Sequence, residues 1–176
     1  MSFKERFAES EQELLATTPI LIGSAMAFAE SSGLGTVKEL FASANTYISG
    51  LKTYPYNEII QAILPNLDDR EQAREQAKAV REHAIARLKD KGIDSPEKIR
   101  ALLLDDSRAV AGLLAEKASS EEAGQYKEWA MAVAENVAKA AHEGGFLGFG
   151  GTQVSEGERK LFGELADALG TESRLT

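Results

Sequence analysis

The chain has 176 residues, 20 basic and 28 acidic, for a net charge of −8 at neutral pH, and it has no cysteine. That length makes one domain with a real core the default. The acidic balance speaks against nucleic acid or an anionic membrane as the main partner, since both demand concentrated positive charge. The missing cysteine removes disulfides, thiol catalysis and zinc–thiolate sites.

Met1 to Phe7 is charged and is followed by no signal-peptide core. The apolar stretch Pro19 to Ala29 covers only eleven residues, too few to span a bilayer. The expected location is cytoplasmic.

Ser2 is placed to cap a first short helix carrying Phe3, Phe7, Leu14 and Leu15 on its apolar side. Thr18-Pro19 is read as a restart, because proline suits a first helical turn. Ile20 to Ala29 is then apolar nearly all round, the pattern of a central helix. Thr36 opens a further helix through Leu51, and Tyr54-Pro55-Tyr56-Asn57 breaks it. The two tyrosines are read as rim-of-core residues. Ile59, Ile60, Ile63 and Leu64 form a compact apolar set that Pro65 ends.

Asn66 to Lys91 is the most polar long stretch, with acids at its start and lysines at its end as the helix dipole prefers. Its apolar stripe, Ala73, Ala77, Val80, Ala84 and Leu88, is thin, which predicts a solvated helix lying along the body. Gly92 stops it, and Ser95-Pro96-Glu97 starts the next. Asp105 to Ser107 is expected to turn the chain. A capping box, Ser119 with Glu122, then opens a long helix carrying Tyr126, Trp129, Ala130 and Val133 on one face. The lone tryptophan is expected to be buried against the Phe162 helix.

Gly144 to Gly151 separates that helix from a last one, which carries a second Ser-x-x-Glu signal at Ser155 and Glu158, an apolar stripe through Leu169, and Gly170 as its stop. The resulting fold class is all-α, a single-domain bundle of seven to nine helices over residues 1–170, with 171–176 a frayed tail.

The glycine loop is the most unusual segment. Gly145, Phe146, Leu147, Gly148, Phe149 and Gly150 interleave free backbone with large apolar side chains. Two readings stand: a structural corner whose aromatics plug the core, or a candidate binding loop. In the first, each Phe→Ala costs ~3–5 kcal/mol. In the second, stability stays within about 0.5 kcal/mol.

Catalytic signals are sparse. The two histidines, His83 and His142, lie far apart, no Gly-x-Ser-x-Gly elbow occurs, and the glycine loop has neither a P-loop lysine nor a preceding strand. Acids flank the loop, Glu143 before it and Glu156 and Glu158 after it. Glu143 and Glu156 are therefore candidate metal ligands, whose oxygens suit Mg²⁺ or Ca²⁺. Against that stands a plainer role for Glu156 and Glu158 at a helix N-terminus.

Glu128-Trp129, then Ala140-Ala141-His142-Glu143 running into the glycine loop, then Val154-Ser155-Glu156-Gly157-Glu158, resembles the C-terminal signature of a bacterial all-helical family to which no activity is attached. The segment from Val154 to Arg159 before an apolar helix also looks like part of the tellurite-resistance protein B (TerB-like) superfamily. That resemblance implies an all-helical fold with an acidic inter-helix turn that binds metal. Here the usual Ala-Asp-Gly-Glu turn is replaced by Ala141-His142-Glu143-Gly144. The functional expectation is a non-enzymatic helical module acting through a protein partner or self-association. The alternative is a small-ligand or divalent-metal-binding protein using residues 142–158.

Overall fold

A computed structural model describes residues 2–28, 44–143 and 156–172. Those residues form eight helices and no strand: α1 Phe3–Arg6, α2 Glu9–Phe28, α3 Ala44–Thr53, α4 Glu58–Ile63, α5 Arg70–Asp90, α6 Pro96–Lys117, α7 Ser120–Glu143 and α8 Glu156–Leu169. The all-α bundle expected from the periodicity is the fold observed.

α2 is the central post. It packs on α7 most extensively, then on α6 and α5, and touches α4 and α8. Leu15, Leu21, Ile22, Ala25 and Met26 of α2 are buried, so the near-uniform apolarity of this segment reflects neighbours on several sides. One hydrophobic cluster runs from Phe3 through α2, α4, α6 and α7 to Leu169.

Local signals set most helix ends. Asp69 caps α5 by accepting from the Glu71 and Gln72 amides, and the Ser95 hydroxyl accepts from the Lys98 amide with Pro96 in the first turn of α6. The box before α7 is closed both ways. The Glu122 amide donates to the Ser119 hydroxyl at 3.2 Å and the Ser119 amide donates to the Glu122 carboxylate at 3.0 Å. Gly92 and Gly170 follow α5 and α8 with φ of +60° and +65°, the left-handed turn that glycine adopts without a Cβ penalty.

Five expectations change. The first helix breaks at extended Phe7, and α2 starts afresh with the Ala8 amide donating to the Glu11 carboxylate at 2.8 Å. Pro19 does not restart the chain; it lies inside α2. Asp105 to Ser107 does not turn; α6 passes straight through, because Asp106 is paired with Arg87 of α5 in a bidentate ion pair. Tyr56 is 95% exposed rather than at the core rim, while Tyr54 is half-buried.

Trp129, the fifth, is buried as expected, but its ring partners are Tyr47 of α3 and Tyr126 of α7, with centroids 5.1 and 5.6 Å away. Its indole N–H donates to the Tyr47 carbonyl at 3.1 Å. The two aromatic partners and that carbonyl give the indole both apolar contact and a hydrogen-bond acceptor.

Candidate functional site: an apolar cleft beneath α5

The thin stripe of α5 has a consequence for packing. Among the described residues of α5 only Ala84 is fully buried. The C-terminal half is held down by Ala84 and by the Arg87–Asp106 pair. Toward the N-terminal half the apolar side chains are short: Ala73 and Val80 are half-buried and Ala77 is exposed. Alanine methyls cannot fill the gap to α3 and the end of α4, and an apolar gap too large for its lining stays open.

The result is a cleft of about 460 Å³. Its floor is Ile20 of α2, Tyr47 and Ile48 of α3, Ile63 of α4 and Pro65, and α5 supplies Ala77 and Val80. Ile20 and Ile48 are only half-buried, so the protein leaves part of two isoleucines uncovered here. The volume falls within the ~300–1,000 Å³ typical of small-molecule sites. Arg74, Lys78 and Arg81 line the same space from α5, with Gln76 beside them. The Gln76 amide donates to the Leu64 carbonyl at 3.5 Å, tying α5 to the chain after α4.

Tyr47 connects the cleft to the interior. Its hydroxyl donates to the Ala16 carbonyl at 2.9 Å, its carbonyl accepts from Trp129, and burial raises its phenol above the ordinary value. The group is therefore a fixed neutral donor from α3 to α2.

None of the candidate site residues singled out from the sequence is among the described residues that line the cleft. Gly145, Phe146, Leu147, Gly148, Phe149 and Gly150 lie outside the described residues, as do the side chains of His142 and Glu143. Glu156 is exposed at the start of α8 and Glu158 is buried within its first turn. Among the described residues no group of three His, Asp or Glu side chains is arranged to hold a metal ion. His83 is on the surface, with Nδ1 3.4 Å from a Glu13 carboxylate oxygen.

Among the described residues the exposed large apolar side chains are Tyr56 and Leu67, and no helix is long and apolar enough to cross a membrane. The cation stripe is what the sequence reading passed over. Arg74, Lys78 and Arg81 recur at spacings of four and three, one face of α5. The excess of acids elsewhere in the chain hid it.

No family model, curated protein or solved structure matches the chain significantly.

Proposed function

We propose that this chain is a non-enzymatic helical binding module, and that its ligand is a small, largely apolar molecule held in the cleft beneath α5. The observation that carries the reading is an open cleft of about 460 Å³ floored by Ile20, Tyr47, Ile48 and Ile63. Apolar side chains left partly wet are stabilised by any apolar ligand that covers them, at about 25 cal/mol per Å² removed from water. The support comes from residues of α2 to α5 and not from residues 142–158, and it favours a small ligand over a protein partner because the space is a recess bounded by four helices and Pro65.

Isothermal titration with 1-decanol tests the proposal. Wild-type protein is expected to bind it. Ala77→Phe, at an exposed position of α5 where a ring would enter the cleft, is expected to lose that binding with an unchanged thermal midpoint. No binding by the wild type, or equal binding by both proteins, would overturn the reading.

A further inference from the structure

The cations beside the cleft narrow the ligand class. The chain carries a net charge of −8, yet three basic side chains, Arg74, Lys78 and Arg81, and no acidic one line this recess among the described residues. Four described arginines elsewhere are engaged by carboxylates, Arg6 by Glu122 and Glu58, Arg87 by Asp106, Arg100 by Glu164 and Arg108 by Asp105, whereas Arg70 and Arg159 have no such pair among the described residues. Lys78 reaches Glu82 along the exposed side of α5 at 3.8 Å, at the limit of an ion pair. Arg74 and Arg81 have no ion pair among the described residues. They stand seven residues apart, two turns along the same face, with Ala77 between them facing the recess.

We infer that the cleft binds a single-chain anionic amphiphile: an aliphatic tail on Ile20, Ile48 and Ile63, and a carboxylate or phosphate-monoester head at Arg74 and Arg81. The inference rests on the small-ligand reading above and adds the charge of the head. Guanidinium is suited to either head, because its planar fork donates two parallel hydrogen bonds to an oxyanion. A carboxylate on a short apolar tail also meets the requirement that a charge stay near water while its chain is buried.

The test compares ligands with one tail and different heads: decanoate, decyl phosphate, 1-decanol and decyltrimethylammonium, titrated calorimetrically into the full chain, with Trp129 fluorescence as a second readout through Tyr47. At least one of the two anions is expected to bind more tightly than decanol, and the cation more weakly. Which anion is preferred identifies the head. In Arg74→Gln and Arg81→Gln, both at exposed positions, anion binding is expected to weaken by about fivefold each, the size of an exposed ion pair, with decanol unaffected. Raised salt should weaken the anions alone.

Decanol binding as tightly as both anions would overturn the head-group inference and leave the cleft reading standing. Failure of all four ligands would overturn both. Anion binding that survives Arg74→Gln/Arg81→Gln unchanged would also overturn the inference, since the charge would then be read elsewhere.

Discussion

The Tyr126 hydroxyl donates to the Leu15 carbonyl at 2.6 Å, and Leu15 is the residue four before Pro19. In an unbroken helix that carbonyl accepts from the amide of residue 19, which proline lacks. A side chain 111 positions away therefore supplies the donor that the helix cannot. Both groups are buried, so the bond matters more for what its loss would leave than for its own net strength. Tyr126→Phe is expected to cost ~1–3 kcal/mol by stranding a buried carbonyl. Pro19→Ala returns an amide to the same acceptor, so it should recover much of that loss in the Tyr126→Phe background. Urea melts of the four proteins in this cycle give the coupling, and strict additivity would refute the relationship.

Gly50 of α3 sits against the Trp129 side chain of α7. A Cβ there would lie 2.7 Å from the Trp129 indole nitrogen, 3.0 Å from Leu64 and 3.1 Å from Ile60. The indole is held by Tyr47 and Tyr126 and is 1% exposed, so it has little room to withdraw. Overpacking of this kind costs ~1–3 kcal/mol, more than the helix propensity that alanine gains over glycine. Gly50→Ala is expected to lower the denaturation midpoint. The blue-shifted emission expected of the buried wild-type indole should move to the red. An unchanged midpoint would mean that α3 and α7 are less tightly apposed.

Glu122 makes stability depend on acid pH. Its carboxylate closes the cap of α7 and takes both terminal nitrogens of Arg6, at 2.8 and 3.0 Å, which together hold it down at about 2 against an ordinary 4.5. The Arg6 hydrogen bonds are the largest cause. In the unfolded chain the group takes its proton near 4.5, so its stabilisation is complete above that pH and drains as pH falls toward 2. Its size is below ~3 kcal/mol, because solvent screens a half-buried pair. Glu122→Gln should flatten the fall in unfolding free energy between pH 5 and 2, as measured by urea melts across that window. A slope equal to wild type would rule out this carboxylate as the sensor.

The Arg87–Asp106 pair fixes the C-terminal half of α5. Asp106 is almost wholly buried, and burial raises its carboxyl pKa against the opposing pull of Arg87. Removing the arginine leaves a buried carboxylate unpaired, which costs ~3–5 kcal/mol. Arg87→Ala is therefore expected to be far more damaging than Arg74→Gln, although both lie on the same polar helix. Comparable melts for the two variants would mean that α5 is not clamped at this end.

The sequence alone determined much of the local structure. Ser119 and Glu122, Ser95 and Pro96, Asp69, Gly92 and Gly170 start and stop helices through contacts within a few residues, so spacing was enough to place them. The burial of the α2 core and of Trp129, and the solvation of α5, followed from residue type and period. Tertiary structure decided the points where a distant partner supplies what the local chain lacks. Pro19 and Asp106 look like breaks because one has no amide and the other carries a charge. Tyr126 and Arg87 cancel those deficits, and the helices run on. The cleft belongs with these. Ala73, Ala77 and Val80 are legible as a thin apolar stripe, but whether short side chains close a contact or leave a recess depends on the spacing to α3 and α4. That spacing is fixed by packing between elements far apart in sequence.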